Sequence, residues 1–309
     1  MSVAKDLKKF LRRKLSRLHR DRPALLTFLF HSLFKDQAEI DLHHVDPQQC
    51  ITVDHMRQFL LYFKAAGYEF IGSDQLDSDL SNDANYVLIT FDDGYYNNTR
   101  MLDLLSEFDV PAVFFITTGN VQNQECFWWD VVHRERHRQG WSHREISREQ
   151  KALKKQHHHE IHRQLITTFG DDCFQPWSDI DRPMTCSELQ QFSAHPLVHI
   201  GNHTTDHFIL DNYPANEVIA QITGCQRDLE ELLDFSPEIL AYPNGNYSAT
   251  AIRCAKEIGL KYAVTLDKHK NYLPFKWDFD NAFKLGRFTL WGTENISAQC
   301  DIFRSDLKI

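Results

Sequence analysis

The sequence predicts a parallel α/β fold whose seven strands are enough to close a barrel. Short runs rich in β-branched and aromatic residues alternate with stretches whose apolar residues recur at helical spacing, and this alternation is typical of parallel βα units. The predicted strands are Leu25–Leu33, Tyr86–Phe91, Ala112–Thr117, Val198–Gly201, Ile239–Tyr242, Tyr262–Leu266 and Lys284–Leu290. The predicted helices between them are Val53–Ala66, Asn98–Phe108, Glu217–Leu233 and Ala249–Gly259.

Length and composition agree with this class. The chain has 309 residues, of which 42% are hydrophobic, so a core can form and a disordered chain is excluded. The length admits two domains, but one α/β barrel often runs this long. The longest nearly apolar run, Ala24–Phe34, is far shorter than the roughly 20 residues of a membrane span. We therefore expect no integral membrane protein.

The spacing of the seven cysteines and the first residues of the sequence indicate the cellular compartment in which we expect the protein. The cysteines are scattered and form no CxxC pair, so neither a disulfide framework nor a cysteine zinc site fits. The basic start is not followed by the apolar segment and cleavage site of a secretory signal. We expect a cytoplasmic protein with reduced thiols.

Residues 1–22 form a basic segment that we separate from a domain at 23–309. The formal charge of the chain is −9, yet this segment holds nine Lys/Arg and only two Asp, which leaves it at +7. Its apolar residues recur at helical spacing: Leu7, Phe10, Leu11, Leu15 and Leu18. Such a helix either lies on an anionic membrane surface, at the inner face of the membrane, or packs on the body of the protein. No nucleic-acid partner is expected.

The stretch at about 120–182 differs from the rest of the chain. It contains Trp128, Trp129, many His, Arg and Lys residues, and few strand signals. We predict a helical insertion into the barrel. Its run His157-His158-His159 could bind a metal, although clustered histidines on a polar helix are usually only solvated.

Two carboxylates follow a predicted strand in Thr90-Phe91-Asp92-Asp93-Gly94. The carboxyl ends of barrel strands are where active sites are built. Adjacent carboxylates resist joint ionisation unless a cation is present, so one could bind a metal and the other act as a base. Alone, the motif also fits a solvated turn.

Two further strand ends complete the pattern. After Val198–Gly201 comes His203-Thr204-Thr205-Asp206-His207, and two histidines four apart share one face of a helical turn. With one carboxylate they form a two-His, one-carboxylate set typical of hydrolytic zinc sites, unless they are unrelated residues of a chain with 17 histidines. The turn Ala241-Tyr242-Pro243-Asn244-Gly245 could direct backbone N–H groups at the same mouth.

These three motifs, in this order, resemble those of the polysaccharide deacetylases, the carbohydrate esterase family 4-like group that shares the NodB homology domain. The resemblance spans about residues 25–290. It implies a distorted (β/α)7 barrel and a metal-dependent hydrolase that removes an N-acetyl group from an amino sugar. The glycan substrate would be a polysaccharide, an oligosaccharide or a lipid-linked glycan.

The resemblance also implies the role of each matching residue. Asp92 matches the general base, and Asp93, His203 and His207 match the ligands of one divalent metal ion. The backbone N–H of Asn244 matches the donor to the oxyanion. Two imidazoles and a carboxylate suit Zn²⁺ first, and also accept Co²⁺ or Ni²⁺.

Two departures from the family pattern leave roles open. Ala241 stands where many members have an arginine that orients the base, so either Arg287 on the last predicted strand replaces it or Arg287 caps a surface loop. The late leucine-histidine motif that supplies the acid is not evident. His31, after Phe28-Leu29-Phe30, resembles the first-strand histidine of poly-N-acetylglucosamine deacetylases and could protonate the leaving amine, or it only supports the site.

Two other functions stay open at this stage. One is a carbohydrate-binding barrel without catalysis, which loss of a ligand or of the base would favour. The other is a deacylase of a small amide that is not a sugar.

Overall fold

The computed structural model describes residues 22–76, 80–277 and 280–306. The predicted basic helix of residues 1–22 lies outside the described residues except for Arg22. The described strands are β1 Ala24–Phe30, β2 Glu69–Phe70, β3 Tyr86–Phe91, β4 Ala112–Ile116, β5 Val198–Asn202, β6 Ile239–Ala241, β7 Tyr262–Val264, β8 Asn271–Tyr272 and β9 Arg287–Thr289.

The α-helices of the described residues surround this sheet. They are α1 Gln37–Ile40, α2 Val53–Ala65, α3 Met101–Phe108, α4 Thr118–Asn123, α5 Trp128–Arg138, α6 His143–Leu153, α7 His158–Phe169, α8 Cys186–Ser193, α9 Ala215–Leu233, α10 Ala249–Glu257 and α11 Ile296–Arg304. None of the helices that the structure describes is both long and apolar enough to cross a membrane.

The strands form one curled, mainly parallel sheet. Its order is β7-β6-β5-β4-β3-β1-β8, with β2 beside β3 and β9 beside β1, and only the pairing of β8 with β1 is antiparallel. The segment that leads into β9 joins the two sides of the curl, because Leu285 exchanges backbone hydrogen bonds with Ala263 and Thr265 of the β7 edge at 2.9–3.0 Å. This confirms the expected distorted barrel.

Burial on both faces explains why β1 reads as an almost continuous apolar run. All seven of its residues are buried, which is typical of a parallel strand covered on two sides. Leu26, Phe28 and Phe30 pack toward α2 and α11 in one core cluster, whereas Leu25 joins a second cluster with β6 and β7. The strand ends at Phe30 rather than at the predicted Leu33, so that His31 lies just beyond its carboxyl end.

The region predicted as an insertion is helical, with α5, α6 and α7 between β4 and β5. A buried ion pair holds it together: Arg134 on α5 bonds to Asp181, and both side chains are inaccessible to solvent. The same guanidinium donates to the carbonyls of Cys173 and Gln175 at 2.6 and 2.8 Å. The insertion is therefore a packed unit, and it stands over one end of the barrel.

Candidate active site and metal centre

A cavity of about 440 Å³ opens at the carboxyl ends of the strands, beneath the insertion. Parallel strands end at one edge of the sheet, so residues far apart in sequence meet there. Six of the seven residues singled out in the sequence line this cavity: His31, Asp92, Asp93, His207, Asn244 and Arg287. The seventh, His203, is buried directly beside Asp93.

Asp93, His203 and His207 form a cluster of three metal-binding side chains. Oδ1 of Asp93 lies 3.5 Å from Nε2 of His203 and 3.4 Å from Nε2 of His207. One ligand atom from each residue lies within 4.8 Å of the others. Both carboxylate oxygens of Asp93 are buried without a hydrogen-bond partner. A buried carboxylate is costly unless it is paired, so the donor set fits a divalent cation.

The hydrogen bond at the far side of His203 fixes its tautomer. Nδ1 lies 2.8 Å from the carbonyl oxygen of Ala241, which only accepts, so Nδ1 carries the proton of the neutral ring and Nε2 is the nitrogen that faces Asp93. Burial acts to lower the pKa of His203, but the carboxylates of Asp92 and Asp93 outweigh it and the pKa lies above its ordinary value. Burial, together with the charges of His203 and Lys154, holds the pKa of His207 well below its ordinary value.

The expectation that His203 and His207 share a face of a helical turn is wrong. Residues 203–207 form an irregular loop in which Thr204 and His207 have φ values of +66° and +54°. Asn202 holds the first bend by accepting a hydrogen bond from the Thr204 N–H at 2.9 Å. Two left-handed residues, rather than one helical turn, bring both imidazoles to Asp93.

Asp92 is held by a buried arginine. Arg287 donates from its two terminal nitrogens to the two oxygens of Asp92 at 2.7 and 2.9 Å, and both side chains are almost fully buried. The guanidinium also donates to Thr90 Oγ1 at 3.1 Å and to the carbonyl of Thr265 at 2.9 Å. Burial acts to raise the pKa of Asp92, but Arg287 and His203 outweigh it and lower that pKa. Asp92 is therefore an oriented, ionised carboxylate, and Arg287 does not cap a surface loop.

A glutamine orients His31. Gln49 donates from Nε2 to the carbonyl of Leu29 at 2.6 Å, so its Oε1 must be the atom that faces Nδ1 of His31 at 2.8 Å. Nδ1 of His31 therefore carries a proton, and Nε2 is the nitrogen left for proton exchange in the cavity that the ring lines.

The turn after β6 places Asn244 on the cavity wall. Asn244 has φ +56°, and Gly245 follows with φ +75°, where an added Cβ would lie 2.6 Å from Leu266. The side chain of Asn244 accepts a hydrogen bond from Nζ of Lys154 at 2.8 Å and donates to Asn246 at 2.6 Å. The insertion thus touches the turn that the sequence analysis assigns to the oxyanion.

Sequence reasoning missed several residues of this site. Gln49 and Thr265 carry no motif and lie in irregular segments, so no signal pointed to them. Trp129 was noted only for composition, yet its ring lies 4.6 Å from the ring of His207 and its Nε1 donates to Tyr95. Lys154 directly follows α6. The residues of α6 that face the cavity recur every three to four positions, and this helical spacing could have indicated Lys154 from the sequence.

Comparison with known proteins settles the family. A family model described as polysaccharide deacetylase matches residues 79–263, which is more than half of the chain. The chain belongs to the polysaccharide deacetylase family. It is accordingly a hydrolase that acts on carbon–nitrogen bonds other than peptide bonds. A search of curated protein sequences gives no match.

Solved structures of deacetylases share the fold. The deacetylase PplD of Streptococcus pyogenes in complex with acetate has 14% identity and a TM-score of 0.60, over 91% of this chain and 99% of its own. IcaB from Ammonifex degensii has 16% identity and a TM-score of 0.60, over 93% and 99%. A polysaccharide deacetylase from Bacillus cereus has 12% identity and a TM-score of 0.62, over 91% and 69%.

The first prediction concerns the cluster of metal-binding side chains. Replacing His203 with Ala removes one of three ligands, so the wild-type chain should bind one divalent ion and the variant should lose it, as measured by calorimetry and by metal content after dialysis. His199→Ala is the matched control, since His199 lies on β5, the strand that leads to His203, and faces Asp74 at 3.6 Å. Retention of one ion per chain by the His203 variant would show that the ligands lie elsewhere.

The second prediction concerns the pair of Asp92 and Arg287. Arg287→Gln leaves the carboxylate buried and uncompensated, so the pKa of Asp92 rises and the acid limb of the pH–rate profile should move to higher pH. Arg287→Lys keeps the charge without the bidentate geometry and should lower kcat/KM by about 10²-fold. Arg182→Lys is the control, because Arg182 makes a similar two-pronged contact with Glu188 away from the cavity. An unmoved acid limb in Arg287→Gln would remove Arg287 from this role.

Proposed function

We propose that the protein removes the N-acetyl group from an amino sugar of a polysaccharide, an oligosaccharide or a lipid-linked glycan, with the help of one divalent metal ion. The observation that carries the proposal is the cluster of Asp93, His203 and His207 beside the carboxylate of Asp92, whose Oδ2 lies 3.9 Å from Nε2 of His203. The metal is Zn²⁺ by the chemistry of the donor set, with Co²⁺ and Ni²⁺ as alternatives.

Asp93, His203 and His207 would hold the metal. Once bound, the ion would supply Lewis acidity toward the acetamide carbonyl and lower the pKa of water. The donors in this chain fit the ion: the hydrogen bond at Nδ1 of His203 directs Nε2 at Asp93, the low pKa of His207 keeps its imidazole neutral, and both oxygens of Asp93 are buried without a hydrogen-bond partner. Neutral imidazoles are the form that binds metals.

Asp92 acts as the general base in this proposal. Its depressed pKa keeps it ionised near neutral pH, and Arg287 directs both of its oxygens. It takes a proton from the water whose oxygen forms the new bond to the acetamide carbon. The backbone N–H of Asn244 donates to the carbonyl oxygen as negative charge develops there.

His31 acts as the general acid. When the bond between the carbonyl carbon and the nitrogen breaks, the amine needs a proton, which Nε2 of His31 gives while Gln49 holds Nδ1. Acetate and the free amine leave as products.

The lining of the cavity supports a sugar substrate over a small amide. Trp128, Trp129 and Trp291 line it, and Trp291 is 43% exposed. Flat aromatic faces offer large rigid contact areas of the kind that a sugar ring can cover. All residues of the base and ligand set are present, which argues against a carbohydrate-binding barrel without catalysis.

We also propose a cytoplasmic location with peripheral contact at the inner face of the membrane. The support is the sequence alone: residues 1–22 carry a formal charge of +7 and a helical apolar stripe.

The third prediction tests the reaction and separates the two carboxylates. Acetate release from N-acetylated oligosaccharides should stop with a chelator and return on addition of Zn²⁺. Asp92→Asn should keep the metal and lose about 10²–10⁴-fold in kcat, because a general base contributes that much. Asp93→Asn should lower metal occupancy instead, and exposed Asp103→Asn should change neither. Equal effects of the Asp92 and Asp93 changes on metal content would contradict the division of roles.

The fourth prediction concerns His31. His31→Ala should leave metal content unchanged and lower kcat by about 10²–10⁴-fold, and the loss should shrink on a substrate whose leaving amine is much less basic. Gln49→Leu should give a smaller loss of the same kind, since it removes only the partner of Nδ1. His44→Ala is the control, because His44 bonds to Ser178 outside the cavity. Equal losses on both substrates would make His31 a supporting residue.

A further inference from the structure

One face of helix α6 carries positive charges that no part of the proposed reaction uses. Arg144, Arg148 and Lys151 are spaced four and three residues apart, so their side chains lie in a row about 10 Å long on one side of the helix. All three are exposed. Across the residues that the structure describes, none of them forms an ion pair or a side-chain hydrogen bond.

The acidic residues of α6 do not cancel this row. Glu149 is taken by Arg136, which contacts both of its oxygens at 2.7 Å. Glu145 accepts hydrogen bonds from the backbone N–H and the hydroxyl of Ser142 at 2.8 and 2.6 Å. When the charge of Glu145 is counted with the three cations, the net charge of the row is +2. In a chain whose formal charge is −9, this is a local reversal of sign.

The row lies in an open groove beside the active-site cavity. Arg144, Arg148 and Lys151 line a groove of about 800 Å³ along α6. His143 and Ser147 line both this groove and the cavity, so α6 separates two adjacent spaces. The neighbouring face of α6 lines the cavity along its length, and Lys154, which directly follows the helix, donates to Asn244.

The cavity itself does not repel anions. Its three carboxylates, Asp46, Asp92 and Asp93, are matched by three cations that line the same space: Lys154, Lys268 and Arg287. Both oxygens of Asp46 accept hydrogen bonds from the protein. One accepts from the backbone N–H of Gln48 at 3.0 Å and the other from the side-chain amide of Gln150 at 2.8 Å. Exposed Lys268 has no carboxylate partner within the described residues.

We propose that the substrate is an anionic glycan, whose carboxylate or phosphate groups lie along Arg144, Arg148 and Lys151 while an N-acetylated sugar occupies the cavity. The inference rests on the proposed function and names its substrate class. The row lies beside the cavity, where a chain of sugars that has one residue in the cavity would continue along α6. Complementary charge of this kind directs which partner binds and how fast it associates.

The test compares two variants that lose the same charge. One carries Arg144→Gln, Arg148→Gln and Lys151→Gln in the groove, and glutamine keeps the helix propensity. The other carries Lys64→Gln, Arg227→Gln and Arg253→Gln at exposed positions on α2, α9 and α10. Both are made in the full chain, with and without Asp92→Asn, so that binding is measured without turnover.

The probes are an oligosaccharide that alternates N-acetylglucosamine with glucuronate and a neutral N-acetylglucosamine oligomer of the same length. The groove variant should bind the acidic probe about 3- to 100-fold more weakly than the control variant, since each exposed ion pair contributes a modest share. The preference in kcat/KM for the acidic over the neutral probe should fall by a similar factor, and added salt should erase the difference.

Three results would overturn the proposal. The first is equal binding of the acidic probe by both variants, and the second is equal kcat/KM of the wild type on both probes. The third is a loss confined to phosphatidylcholine vesicles containing phosphatidylglycerol, which would make the row a membrane contact. Tight binding of the acidic probe through the groove with no acetate released from either probe would instead contradict the proposed function, while it would still support an anionic glycan as the ligand.

Discussion

The buried contact between Arg287 and Asp92 is the constraint on which the site depends. A guanidinium that is 1% exposed must have its donors satisfied, because an unpaired buried charge is strongly destabilising. Its partners come from both sides of the curled sheet: Thr90 and Asp92 from β3, and the carbonyl of Thr265 after β7. The same contacts that tie β9 into the barrel therefore set the direction in which the carboxylate of Asp92, the candidate base, points.

Around this pair, the strand ends are held in conformations that L-residues rarely adopt. Asp93, Thr204, His207 and Asn244 all have positive φ, between +54° and +82°. Such residues persist only where the surrounding structure fixes them, and they gather at functional sites. Asp93, His207 and Asn244 carry the candidate ligand and oxyanion groups, and Thr204 bends the loop between His203 and His207, while the strands beneath are ordinary buried β-structure. The backbone strain and the candidate chemistry coincide at one edge of the sheet.

The sequence predicted the parts of the fold that depend on local patterns. Strand Tyr86–Phe91 has the predicted bounds, because a run of buried apolar residues ending in two aspartates marks both the strand and its end. The helical turn predicted for His203 and His207 is wrong, since spacing alone cannot separate a helix from a loop with two left-handed residues. Arg287 was ambiguous for a different reason. Its partner lies 195 residues away, and only the closed barrel brings the two together.

The candidate catalytic groups and the cover of the cavity come from different parts of the chain, and two contacts join them. The candidate base, the candidate ligands and the candidate oxyanion turn lie at barrel strand ends, whereas Trp128, Trp129 and Lys154 come from the insertion. Trp129 packs against His207, and Lys154 bonds to the side chain of Asn244. The insertion therefore supports both a candidate metal ligand and the turn that carries the candidate oxyanion donor.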